Sequence, residues 1–177
     1  MKQIGHKNSG LWLRRTLALI LFAGAPALVL AQSSPDAKFA SEAASGGEAE
    51  VKLGQLAQQK GQSSVVKEFG RRMETDHSKA NEELKQAASQ AGVSLPSEMS
   101  ASDRVTYERL SKLHGAAFDR AYAQAMVTDH EKDIAAFERE SRSGQNEAIK
   151  SFAQQTLPTL KEHLQLARQM EKSVSGS

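Results

Sequence analysis

Phe69-Gly-Arg-Arg-Met73-Glu-Thr-Asp-His77-Ser-Lys79 and Tyr122-Ala-Gln-Ala-Met126-Val-Thr-Asp-His130-Glu-Lys132 are two versions of one pattern. In each, an aromatic residue, a methionine and a histidine stand four apart, and positions four apart share one face of an α-helix. Both histidines are therefore aimed where an apolar core should be. The same spacing continues on either side, through Val66, Leu84 and Ala87 in the first block and Phe118, Ile134 and Phe137 in the second.

Two further stretches carry the same periodicity. Phe39, Ala43, Gly46, Glu50, Leu53 and Ala57 form one stripe, and Ile149, Ala153, Thr156, Leu160, His163, Ala167 and Met170 form another. Alanine, glutamine, glutamate, lysine and leucine abound and prolines are few, which is the composition of helices. We expect four long helices, at about 38–60, 63–91, 115–142 and 146–172. Gly61, Gly92 and Gly144 act as stops, and Pro158 should kink the last helix. Gly46 and Gly47 weaken the first helix but would let a neighbouring backbone come close. Leu95-Pro96 ends the second helix, and Ser100-Ala-Ser-Asp103 starts a shorter one to about Leu113 with Val105, Leu110 and Leu113 apolar. A connection of that length implies a crossover between the second and third long helices, hence an all-α, ferritin-like four-helix bundle and not a simple up-and-down order.

The chain has 177 residues, but its start reads as an address. Lys2, Lys7, Arg14 and Arg15 precede an apolar run from Leu17 to Leu30, and Val29-Leu30-Ala31 suits a signal peptidase. We expect a signal peptide over 1–31, a disordered linker over 32–37, the bundle over 38–172 and a frayed tail over 173–177. An uncleaved anchor is the alternative. Periplasmic or secreted location follows, with no stable membrane span after cleavage. Removing residues 1–31 takes away four basic and no acidic residues, leaving 19 Lys and Arg against 21 Asp and Glu, so the charge falls from +2 to −2. With no basic patch interleaved with aromatics, nucleic acid is not an expected partner. The absence of cysteine rules out disulfides and thiolate ligands.

One polar residue falls on each long apolar stripe: Glu50, His77, His130 and His163. Three imidazoles and a carboxylate suit a transition ion such as Zn, Cu, Fe or Mn. Burying Glu50 unpartnered costs several kcal/mol, so a metal or a protonated histidine must sit beside it. Met73 and Met126 are candidate thioether accessories, or core fillers. Asp76 and Asp129 either orient the histidines that follow them or pair on the surface with Lys79 and Lys132. Glu74 gives helix two a Glu-x-x-His spacing, but the last helix has Leu160 three before His163, with Glu162 beside the histidine on a different face. The carboxylates are therefore too few for a two-iron oxidase. No phosphate loop or serine triad is present, so conventional nucleophilic catalysis is not expected. Two readings stay open: a metal or small-ligand site, and a non-catalytic envelope or interaction module whose Glu-His core is purely structural.

Phe69-Gly-Arg-Arg-Met73, Asp76-His77-Ser-Lys-Ala-Asn81, Leu95-Pro96, Phe118-Asp-Arg-Ala-Tyr122, Met126-Val-Thr-Asp-His130 and Leu157-Pro158-Thr-Leu-Lys-Glu-His163-Leu164 resemble a bacterial exported family of unknown function with a ferritin-like bundle, whose members are often labelled predicted outer membrane proteins. The resemblance covers about Phe39 to Met170. It implies the fold and an exported location and no established activity. An outer-membrane span fits poorly, since such spans are β-barrels.

Overall fold

The structure, a computed structural model, describes residues 34–176 together with Met1; the signal-peptide reading of 1–31 lies outside the described residues. Among them the chain forms five helices and no strand: α1 (Pro35–Lys60), α2 (Ser64–Ala91), α3 (Ala101–Ser111), α4 (Gly115–Ser143) and α5 (Glu147–Ser175). None is long and apolar enough to cross a membrane.

The helix ends follow local chemistry. α1 begins three residues before the expected position, because the Ser34 side chain accepts the Ala37 N–H and Pro35 supplies the first-turn backbone angle. Ser63 and Asn146 cap α2 and α5 in the same manner, and Gly92 ends α2 in the left-handed conformation at φ 67°. α5 runs on to Ser175 with Val174 buried, three residues beyond the expected end. It also runs through Pro158 as one helix, with that residue exposed on the solvent side.

α1 packs along α2 and α4 along α5; α2 meets α5, α1 meets α4, and α3 lies against α1 and α4. The directions are set by two buried aspartates. Asp119, near the start of α4, accepts the Gln62 and Ser63 N–H groups of the α1–α2 loop at 2.9 and 2.8 Å. Asp36, in the first turn of α1, accepts the Gln145 and Asn146 N–H groups of the α4–α5 loop. Each hairpin thus holds the other's loop at its own open end. α1 and α5 start at one end, α2 and α4 at the other, which is why α3 must cross the length of the molecule. The sequence spacing is the same throughout: 83 residues separate Asp36 from Asp119, Gln62 from Gln145, and Phe69 from Phe152.

Two apolar clusters divide the interior. One holds Leu53, Phe69, Met73, Tyr122, Met126 and Met170; the other holds Phe39, Leu84, Phe137, Ile149, Phe152 and Leu160. Every long helix passes from one cluster to the other, and its core polar residue stands at the crossing: Glu50 after Ala44 and before Leu53, His77 between Met73 and Leu84, His130 between Met126 and Phe137, His163 between Leu160 and Ala167.

Two sequence expectations need correcting. The close backbone approach is at Gly54 and Gly70, not at Gly46 and Gly47: a Cβ on Gly54 would lie 2.5 Å from the Gly70 carbonyl oxygen, whereas Gly46 faces open space and Gly47 faces the Asn81 side chain. The reason is height and not phase: Gly47 and Gly54, one heptad apart, both face α2, but Gly47 meets a side chain there and Gly54 meets main chain. On α3, Leu110 is buried but Val105 is 65% exposed, because this helix touches its neighbours along one narrow edge.

Gly→Ala inside a helix ordinarily stabilises by about 1 kcal/mol. At Gly70 the new Cβ would meet the Gly54 carbonyl oxygen and the Ala57 Cβ at 2.7 Å, so Gly70→Ala should instead lower stability, by about 1–3 kcal/mol in urea denaturation. Asp119→Ala should cost a similar amount, about 1–3 kcal/mol, because it removes the buried acceptor of two part-buried loop N–H groups.

Candidate metal centre

Glu50, His77, His130 and His163 meet between the clusters, each no more than 5% exposed. The three imidazole centroids form a near-equilateral triangle: His77–His130 5.8 Å, His77–His163 5.4 Å and His130–His163 5.4 Å. One nitrogen of each lies within 4.8 Å of one on the others. Phe69 closes one side, its ring centroid 6.4 Å from His130 and 6.5 Å from His163.

Hydrogen bonding decides which nitrogens face inward. His77 Nδ1 donates to Glu50 Oε2 at 2.8 Å. His130 Nδ1 donates to the Met126 carbonyl, one turn back on α4, at 2.9 Å. His163 Nε2 donates to Asp76 Oδ2 at 2.8 Å. A carbonyl or carboxylate oxygen only accepts, so each shared hydrogen belongs to the imidazole. His77 Nε2, His130 Nε2 and His163 Nδ1 are left as bare lone pairs, and these three atoms are buried with no hydrogen-bond partner. Glu50 Oε1 is in the same state, 3.4 Å from His130 Nε2. With Glu50 ionised these are four acceptors in one dry place with no donor among them, and they repel one another; a proton on Glu50 or a cation relieves this.

Burial is the main force on their protonation. It pushes Glu50 up to about 8, with the His130 charge pulling the other way and the charges of Asp129 and Asp103 adding to the rise. It pulls His77 and His163 down to about 4, and lowers His130 as well. At neutral pH the imidazoles are thus neutral, as ligands must be, and Glu50 holds a proton that a cation would displace. Tyr122, whose buried hydroxyl also lacks a partner, is held far above its usual range by burial and by the Glu50 charge.

An orienting partner for each ring nitrogen pointing away from the centre is how metal-binding histidines are held. Three nitrogens within 4.8 Å of one another have a common centre no more than about 2.8 Å from each, so closing on an ion at about 2.0–2.1 Å needs shifts below 1 Å. The buried His/Glu group could hold a metal.

The accessory candidates divide. Asp76 does orient a histidine, but His163 of α5 rather than its chain neighbour His77, since residues one apart on a helix point about 100° apart. Asp76 also accepts from Arg72 Nε at 3.3 Å, and Arg72 Nη2 reaches Glu162 at 2.8 Å, so the chain of contacts runs from His163 to the surface. Burial opposes the Asp76 charge, yet the His163 and Arg72 contacts outweigh it and its pKa falls. Asp129 does not touch His130; it stands beside Glu50 and Asp133. Glu74 turns away to the α1 surface, accepting from Gln55 at 2.9 Å and Gln58 at 2.6 Å. Met73 and Met126 are fully buried in the apolar cluster, as core fillers. Asp133 was not singled out by the sequence reading. Its signal is the 83-residue spacing, which relates it to Glu50 as Asp119 is related to Asp36.

A family model described as a domain of unknown function, DUF4142, matches residues 23–170. The chain belongs to the DUF4142 family. No curated protein and no solved structure matches it. For a DUF4142 chain, therefore, the site's chemistry has to be read from its own geometry.

His77 and His163 in the metal-free protein should stay neutral as the pH falls from 7 to 5, where an unperturbed imidazole titrates near 6.5. Nitrogen-detected NMR across that range should show His163 as the Nε2–H form and His130 as the Nδ1–H form.

Proposed function

We propose that this DUF4142 protein is an exported, ferritin-like helical bundle that binds one transition ion at Glu50, His77, His130 and His163, and that its role is in metal handling. The observation that carries the reading is the set of three inward imidazole lone pairs, each with its outer nitrogen hydrogen-bonded and its inner one buried without a partner. Neutral nitrogen donors with one carboxylate suit a borderline ion such as Zn(II), with Cu, Fe and Mn as competitors to be compared. Export and periplasmic location are supported by the charged and apolar pattern of residues 1–31 alone. The helix directions, with α3 as a crossover, support the ferritin-like reading.

One observation favours the other reading, a structural polar core in an envelope or interaction module. Glu50 and His77 already share a 2.8 Å hydrogen bond that needs no ion. Equilibration with each metal, followed by gel filtration and elemental analysis, separates the two. The metal reading expects one ion per chain and, with ligand at about a hundred times Kd, a rise of roughly 5–10 °C in Tm. No stoichiometric binding, with stability lost in His77→Ala and chelators inert, would leave only the structural core.

Two further measurements probe the mechanism of binding. Because Glu50 is protonated at neutral pH while the histidines are not, uptake at pH 7 should release about one proton per ion, read by calorimetry in buffers of different ionisation enthalpy. Affinity should rise with pH up to about 8 and then level, and Glu50→Gln should abolish the release. Asp76→Asn should weaken binding by about 10–100-fold, through His163, without touching a ligand.

A further inference from the structure

We propose a second cation site beside the first, in which the carboxylates of Glu50, Asp129 and Asp133 hold a hard divalent ion such as Mn(II), with Glu50 shared between the two sites. It goes beyond the histidine-held ion and, Glu50 apart, stands on different ligands.

One oxygen of each of the three carboxylates lies within 4.8 Å of the others. Their common centre is then no more than about 2.8 Å from each, close to the 2.3–2.6 Å of a large hard cation and within a small adjustment of a smaller one. Clustered acids on a surface would mean little, but this group reaches inward. Glu50 is 1% exposed and its Oε1 has no hydrogen-bond partner. His130, wholly buried, directs its bare Nε2 at the same oxygen from 3.4 Å. Without a cation or a proton, Glu50 Oε1 faces only other acceptors. Asp129 and Asp133 sit one turn apart on α4 and are half-buried, so they supply oxygens on the solvent side of Glu50.

On that side solvent space reaches Asp129, one of the three carboxylates. A cavity of about 410 Å³ between α3 and α4 is lined by Asp103, Asp129, Leu53 and Met126, among others. Asp103 is fixed in the first turn of α3 by Ser100 Oγ at 2.6 Å. Lys132 is the countercharge to both aspartates, and Arg109 also lines the cavity.

Oxygen donors and an open solvent side select hard ions that keep bound water, whereas the imidazoles select borderline ones. The pair of sites should therefore load with different metals. Asp133 stands to Glu50 as Asp119 stands to Asp36, 83 residues on, so both hairpins contribute a carboxylate to the shared region.

The test loads the purified protein with one equivalent of Zn(II) and titrates Mn(II), following the free Mn(II) signal by electron paramagnetic resonance. One Mn(II) per chain is expected in addition to the zinc. Asp133→Asn and Asp129→Asn, near-isosteric changes checked by circular dichroism for fold, should each weaken Mn(II) by about tenfold or more while the Zn(II) stoichiometry stays at one. His163→Ala should do the reverse. No bound Mn(II), or Mn(II) binding indifferent to both aspartate variants, overturns the second site whatever zinc does. Loss of zinc binding alone, with Mn(II) still held and still sensitive to Asp133→Asn, would sink the histidine site and leave this one standing.

Discussion

The architecture turns on a carboxylate that has been taken out of water. Glu50 sits in the middle of α1 with 1% of its surface exposed, and its nearest neighbours are a hydrogen-bonded imidazole, a second imidazole lone pair, and two more acids. An ionised carboxylate in such a place costs several kcal/mol unless something positive answers it. The protein has two answers, a proton at neutral pH or a cation, and the surrounding groups make the choice. The three imidazoles have their outer nitrogens tied to Glu50, to a main-chain carbonyl and to Asp76, so they cannot rotate to satisfy their inner lone pairs without breaking a bond elsewhere. That rigidity is what the metal-binding reading requires of its ligands.

Such a constellation needs four helices held at fixed height. Asp36 and Asp119 supply the axial register by accepting two loop N–H groups each from the opposite hairpin. Gly54 and Gly70 bring α1 and α2 into backbone contact, and so set how close Glu50 stands to His77. The apolar clusters on either side then act as two dry plugs with the polar layer between them. Fold stability and the geometry of the polar layer are coupled through these contacts: any change that slides one hairpin against the other moves two of the four polar side chains relative to the remaining two.

Much of this was legible in the chain. The four-residue spacing of Phe69, Met73 and His77, and of Tyr122, Met126 and His130, places those side chains on one face whatever surrounds them, and all six are buried. The α5 stripe from Ile149 to Met170 is buried at every position named. Periodicity reports faces reliably because 3.6 residues per turn is a property of the backbone alone. It reports ends less well. Pro35 and Ser34 start α1 early because a cap and a proline outweigh the missing apolar stripe, and Val174 prolongs α5 because the core reaches it.

What the sequence determined by itself was helical class, the residues on each inner face apart from the first half of α1, where Ala40, Ala44 and Gly47 are buried in place of Ala43 and Gly46, and hence the presence of one polar residue per long helix in the core. The tertiary structure decided which partner each of those residues takes. Asp76 serves a histidine 87 positions away rather than the one beside it, Glu74 leaves the site for two glutamines, and Asp133 joins Glu50 across the molecule. The physical reason is that a helix fixes the direction of a side chain to within a rotamer, while the distance between two side chains on different helices depends on rotation, height and separation of whole elements. Those are set by loop contacts and glycine crossings whose meaning appears only when the chain is closed.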